Sequence, residues 1–227
     1  KRQVNDLYEP LINFWTQLQQ FGGELTEVIK NYKSTHPNPD SARCLFAVMK
    51  DNINDKSLDC IERAAAFYIV NKCSFSGLTE SSSFSQQASI SNFSMRGIEK
   101  LTGYSDIISN WHINQYSYEY CFRTDIHDDL FMYLDPPYDI KDNLYGKKGS
   151  MHKGFDHDKF AEDCSQSKVD QLISYNSDQL VKDRFTESKW KAAEFDLTYT
   201  MRSVGEYMRE QKERLSLIHI SEPTRPE

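Results

Sequence analysis

The chain has 227 residues, 38% hydrophobic and 27% charged, with a formal net charge of −7. This length and composition suit one large domain, or one and a half small ones, with a buried core, and no window approaches the ~20 apolar residues of a membrane-spanning helix, so no membrane partner is expected. The acidic balance argues against a protein that coats nucleic acid without specificity, although a DNA enzyme needs only its cleft to be basic. Cys44, Cys60, Cys73, Cys121 and Cys164 never fall in a C-x-x-C spacing. Reduced thiols in a cytoplasmic setting and no zinc site are expected.

Residues 2–6 read as the end of a strand. Leu11, Ile12, Trp15 and Leu18 share one face of a helix over residues 10–20, which Gly22-Gly23 is expected to stop. Helices are predicted over 24–32, 41–52 and 57–70, the last with Leu58, Ile61, Ala65 and Ile69 at three-four-four spacing. Pro37-Asn38-Pro39-Asp40 is a turn that makes Asp40 or Ser41 the N-cap of the second of these. Residues 73–95, rich in Ser and Gln and studded with Phe, predict a loop, either a surface insertion or a recognition segment.

Helical pieces over 98–103 and 104–109 precede strands over 110–120 and 130–134. Then come a helix over 155–164, a strand over 171–175, a helix over 177–185 and a strand over 190–201. Strand–helix alternation predicts an α/β layer fold. The tail from Leu215 to Pro226 matches the translation of a transposase adapter used in sequencing libraries, and residues 215–227 are set aside as artefactual. With Lys1 at the start, a fragment of a longer protein is expected.

The informative segment is 130–138, where an apolar strand runs into Asp135-Pro136-Pro137-Tyr138. Open α/β sheets bind ligands beyond the carboxyl ends of their strands. Two prolines fix φ and withdraw backbone donors, which leaves a rigid array of acceptors beside a ring. Such an array suits an exocyclic amine: the Asp135 carboxylate and the Pro136 carbonyl can take the two hydrogens of adenine N6, free its lone pair, and leave Tyr138 to stack on the base. Inside a duplex the base cannot reach such a site, so it must be flipped out. Four specified residues arise by chance in a chain this long roughly once in a thousand, which favours this reading over a plain proline turn.

The tetrapeptide is similar to the catalytic motif of the Dam-type, D12-class DNA adenine methyltransferases. Asp6-Leu7-Tyr8-Glu9-Pro10-Leu11-Ile12-Asn13 resembles their acidic segment, which implies that Asp6 binds the ribose of S-adenosylmethionine; Asp135 is also expected to line that cofactor. The stretch from Asn71 to Leu78 resembles the opening of the family's DNA-recognition region, implying DNA contacts by Lys72, Phe75, Ser76 and Leu78. Leu172 to Asp178 resembles a later strand end that lines the adenine pocket, implying roles for Ser174 and Asn176 with Tyr138.

The resemblance covers roughly residues 4–214. It implies an incomplete Rossmann-like sheet with a helical and loop-rich recognition insert. The core would span 1–56 and 111–214 and the recognition region 57–110. The family's Phe-x-Gly-x-Gly loop would lie upstream of Lys1. The implied partner is double-stranded DNA, in a bacterial or phage-infected cell, and a monomer is expected. Glu80 stands where GATC-reading members carry Arg, which puts GATC specificity in doubt.

Other candidates are weaker. Lys147, Lys148 and Lys153 lie in a glycine-rich stretch that either closes over DNA phosphates or is a solvated loop. Asp125, His127, Asp128 and Asp129 with His152 and His157 match no strong metal-ligand pattern, which disfavours a metal-dependent nuclease. Ser174 with His157 lacks a nucleophile elbow. A non-catalytic DNA-binding remnant and a methyltransferase acting on cytosine N4 or a glutamine amide remain as alternatives.

Overall fold

The computed structural model describes residues 2–75, 79–123, 130–138, 154–186 and 188–194, and the backbone of 215–220. They form an α/β chain of two compact units, one running to Cys121 and one starting at Phe122.

In the first unit, strand β1 (Arg2–Asn5) pairs in parallel with β2 (Trp111–Asn114), Asn5 opposite Asn114. Between them run α1 (Glu9–Thr35), α2 (Pro39–Asn52), α3 (Cys60–Cys73), α4 (Gln86–Ser91) and α5 (Met95–Ile108). Helix α3 is buried from Arg63 to Val70, as befits a central helix that is apolar nearly all round. Leu18, Leu25 and Ile29 of α1 and Leu45, Phe46 and Met49 of α2 close on it. Each such side chain contributes roughly 1.5–3 kcal/mol by leaving water. Phe14 stacks on Tyr68 with centroids 5.9 Å apart and meets Phe67 at 5.6 Å.

Gly22-Gly23 kinks α1 rather than stopping it: Phe21 leaves helical geometry at φ −133°, ψ 37°, and the helix resumes. The reason for a glycine here is close approach. A Cβ on Gly22 would lie 2.5 Å from Ser105 Oγ and 2.6 Å from Ser105 Cβ, on α5. Helix α5 is one helix where two pieces were expected. Gly103 has open space around it and does not interrupt the helix.

The caps also differ from expectation. Asn38, not Asp40 or Ser41, caps α2, accepting the Ser41 amide at 3.0 Å. Asp59 caps α3 through the Glu62 amide at 2.8 Å, which leaves Ser57 and Leu58 outside.

The segment expected as a loop after residue 73 has an ordered stem. Phe75 N donates to Ser83 O at 3.0 Å and Ser85 N to Cys73 O at 2.8 Å, around an antiparallel bridge between Ser74 and Phe84. Phe84 anchors the stem, edge-on to Phe46 at 5.7 Å with the Arg43 guanidinium 4.7 Å from its ring. Strand β2 stops at Asn114, far short of residue 120, and α6 (Glu119–Arg123) follows.

In the second unit, β3 (Phe131–Leu134) pairs in parallel with β4 (Asp170–Asn176), with α7 (His157–Gln166) between them in sequence. Helix α8 (Gln179–Arg184) and β5 (Lys191–Glu194) follow. Tyr175 of β4 is fully buried with Ile173, and its ring meets Phe160 of α7 and Phe185. The sheet order is β3-β4-β6-β5, where β6 (Leu215–Ile220) runs antiparallel to both neighbours. Strand β6 thus lies in the stretch set aside as adapter-like. Its alternation of Leu and Ile with Ser and His has strand composition, which suffices to fill that slot whatever its origin. The strand expected over 190–201 is seen as β5, and residues 195–201 lie outside the described ones.

Gly22→Ala is expected to destabilise the protein by about 1–3 kcal/mol through overpacking. Ser105→Gly in the same chain is expected to restore most of the loss. Urea denaturation of both variants checks this, and an unchanged midpoint for the single variant would refute the close-approach argument.

Candidate functional site

Strand β3 delivers its carboxyl end directly into Asp135-Pro136-Pro137-Tyr138. Pairing stops there because neither proline has an amide hydrogen to donate. Pro136 is buried, Pro137 and Tyr138 are half-buried, and Asp135 is exposed. Leu134 sits opposite Ile173, so Asp135 and Ser174, the next residues on each strand, are neighbours. The Ser174 hydroxyl donates to Asp135 Oδ1 at 2.5 Å, and the Tyr133 hydroxyl donates to Ser174 Oγ at 3.2 Å. Among the described residues Ser174 is the hydrogen-bond partner of Asp135, so the other carboxylate oxygen is open to accept.

Alternation along β4 sends the next side chain elsewhere. The buried Tyr175 hydroxyl hydrogen-bonds His157 Nδ1. A Ser174–His157 nucleophilic pair therefore does not form. Asn176, also buried, donates to Asp178 Oδ2 at 2.7 Å, while Asp178 Oδ1 caps α8 through the Val181 amide at 2.9 Å. The structure thus joins Asp135 to Ser174 and ties Asn176 to the start of α8.

The first unit has a strand end of the same kind. Asn5 grips the chain beyond β2 twice: Nδ2 donates to Tyr116 O and Oδ1 accepts from Tyr116 N, both at 2.9 Å. Asp6 N donates to Asn114 O at 3.3 Å. Its Oδ1 accepts the Tyr8 amide at 2.7 Å, an Asx turn that carries the chain into α1. Tyr116 and Tyr120, 47% and 43% exposed, lie ring to ring at 4.2 Å. A half-buried carboxylate beside an exposed aromatic pair, past the carboxyl ends of two parallel strands, fits a ligand with a diol and a flat ring. The sequence reading missed Tyr116. Its signal was the short strand ending at Asn114, which a strand drawn to residue 120 conceals.

The start of α1 is fixed by charge. Arg63, 5% exposed, donates from Nη2 to Glu9 Oε1 at 2.7 Å and from Nε to Ile53 O at 3.2 Å. Lys56 Nζ lies 2.8 Å from Glu9 Oε1. Burial alone raises the Glu9 carboxyl, but hydrogen bonds and charge from Arg63 and Lys56 outweigh it and hold the carboxyl below the usual glutamate range.

Of the residues expected to touch DNA, Lys72 lies on α3 with Nζ 5.6 Å from the Tyr68 ring, and Phe75 is 40% exposed on the stem. Ser76, Leu78, Lys147, Lys148 and Lys153 lie outside the described residues, as do Asp125, His127, Asp128, Asp129 and His152. No helix among the described residues is long and apolar enough to cross a membrane.

Because the Glu9 carboxyl is held low in the folded protein, its stabilisation is complete above the ordinary glutamate value of about 4.3 and is lost as pH falls through the lower folded value. Glu9→Gln is expected to lower the urea midpoint at neutral pH. The gap to the wild type is expected to narrow steadily once pH drops below that range. A constant gap across the acid range would show that the ion pair is not its source.

A search of curated proteins returns no match to the chain. The family profile described as D12 class N6 adenine-specific DNA methyltransferase matches residues 2–201, a span that includes both strand ends and the segment between them. The chain belongs to the D12 class of N6 adenine-specific DNA methyltransferases.

Proposed function

We propose that the protein transfers a methyl group from S-adenosylmethionine to N6 of an adenine flipped out of double-stranded DNA. The observation that carries this reading is the Ser174–Asp135 hydrogen bond at the end of β3. It orients one carboxylate oxygen and leaves the other to accept, beside a proline pair and an aromatic ring. On this reading Asp135 and the Pro136 carbonyl each accept one N6 hydrogen. Pro137 stiffens the turn, and Tyr138 stacks on the base. Ser174 and Asn176 shape the pocket.

Asp6 would take the ribose hydroxyls of the donor, and Tyr116 would face its adenine ring. The strand-end carboxylate and the exposed tyrosine pair are the features that fit that group. When bound, S-adenosylmethionine supplies a methyl carried on a positively charged sulfur, which departs as a neutral thioether. Asp135 keeps the amine nitrogen close to tetrahedral while the new N–C bond forms, and the surplus N6 proton then passes to water. Expelling a base from the duplex costs a few kcal/mol, which stacking of ~1–3 kcal/mol on Tyr138 partly offsets.

We further assign residues 57–110, with Lys72 and Phe75, to target recognition. We assign residues 1–56 and 111–214 to the catalytic part of a Rossmann-like methyltransferase, and we propose that the protein acts as a monomer.

The test is transfer of labelled methyl from S-adenosylmethionine to unmethylated DNA. Wild-type protein is expected to place label in N6-methyladenine. Asp135→Ala is expected to cut the rate by about a hundredfold or more, the scale of losing one preorganised acceptor. Tyr116→Ala is expected to raise the KM for the donor by about tenfold, the scale of one lost stacking contact. A folded wild-type protein that binds the donor and yields no N6-methyladenine would sink this reading.

A further inference from the structure

We infer that Glu80 is a positioning residue that ties the stem of the recognition segment to the turn after Asp6, rather than a group that reads a base. The inference rests on the methyltransferase reading above. Glu80 stands at the position where arginine would suit guanine, so a glutamate there invites the idea that it accepts from the cytosine amine. Its surroundings argue otherwise.

Both carboxylate oxygens are committed within the first unit. Oε2 accepts the Tyr8 hydroxyl and, at 3.3 Å, the Thr79 hydroxyl. Oε1 accepts Asn54 Nδ2 at 2.6 Å. Thr79 Oγ1 also lies 3.0 Å from the Tyr8 hydroxyl oxygen, so its one hydrogen is shared between that oxygen and Glu80 Oε2. Turning the carboxylate toward a base would break these charge-assisted bonds, which are stronger than neutral ones.

The two sides of the tie are themselves fixed. Tyr8 is held through its amide by Asp6 Oδ1 at 2.7 Å, and its ring lies 6.2 Å from that of Phe67 on α3. Burial and then the neighbouring Glu80 carboxylate push its phenol well above the usual tyrosine value, so the hydroxyl stays a donor at any working pH. On the other side, Ser82 N and Oγ donate to Thr79 O at 2.9 and 2.5 Å, and Lys50 Nζ donates to Ser82 O at 2.8 Å. Asp6, Tyr8, Glu80 and the stem therefore form one hydrogen-bonded path from the residue assigned to the donor to the segment assigned to DNA.

The experiment compares wild type with Tyr8→Phe, Glu80→Gln and the double variant. Tyr8→Phe keeps the ring on Phe67, and Glu80→Gln keeps the shape, so folding is preserved. The first arm is hydrogen exchange of peptides covering the stem. Faster exchange there in both single variants, with α2 and α3 unchanged, is expected. The second arm is methylation of a random-sequence duplex library, with N6-methyladenine located by sequencing.

A positioning residue predicts the same methylated sequence at about tenfold lower efficiency, the scale of one hydrogen bond to a charged group. The double variant is expected to lose no more than either single one. A changed base preference in Glu80→Gln would show that Glu80 reads a base and would overturn the inference. So would stem exchange unchanged in both variants, or wild-type efficiency despite a loosened stem. A wild type that methylates nothing would instead overturn the function on which the positioning role rests, while the exchange arm still judges whether the tie exists.

Discussion

Where two parallel strands end side by side, the ladder stops and no hairpin closes it, so side chains must hold the departing backbone. Among the described residues that constraint is met at both parallel pairs. Asn5 grips Tyr116 through two hydrogen bonds, and Ser174 reaches across to Asp135. The residues that fasten each end are the neighbours of those assigned to chemistry. This follows from geometry: beyond a strand's carboxyl end the backbone carbonyls and side chains are turned toward whatever lies past the sheet. A fastened end presents a carboxylate in one orientation, whereas a frayed end would present it in many.

Behind the first strand end, packing supplies the rigidity. Helix α3 is buried along its middle, and its run Ala64-Ala65-Ala66 lets its neighbours come close. Gly22 does the same between α1 and α5. Arg63 is the exception in this apolar setting. A buried guanidinium is costly unless paired, and Glu9 pairs it at the residue that opens α1. The ion pair thereby fixes where α1 starts relative to α3, and with it the three-residue turn from Asp6 to Tyr8.

How much of this was legible in the sequence depended on whether the signal was local. The strand into Asp135 and the adjoining prolines could be read because an apolar run and two missing amide donors are properties of the segment itself. The helices were legible from periodicity, but their starts were not. Asn38 caps from outside the predicted helix and Pro39 hides that start inside an apparent turn, while Asp59 caps from inside a stretch whose apolar spacing already begins at Leu58. Gly22 reads as a stop because sequence shows its flexibility and not Ser105 beside it. The Ser- and Gln-rich stretch reads as a loop because its order comes from elsewhere: Phe46, Arg43, Lys50 and Tyr8 are distant in sequence. Tyr116 was missed for a related reason, since only pairing with β1 shows where β2 ends.

The pairing of Ser174 with Asp135 also bears on which property of the carboxylate matters to the proposed chemistry. An exocyclic amine conjugated to a purine does not need to lose a proton before it is methylated; it needs its lone pair turned out of the ring. An acceptor in a fixed place does that, while a mobile carboxylate must first give up water and choose a rotamer. Ser174 removes that choice by occupying one oxygen, and Tyr133 in turn orients the Ser174 hydroxyl. The carbonyl of Pro136 needs no such help, because the residue is buried and the Pro137 ring that follows it restricts its ψ. One acceptor is thus held by covalent geometry and the other by a hydrogen bond from the neighbouring strand. The second is the more easily disturbed of the two, so the integrity of the β3–β4 register decides whether the pair acts together.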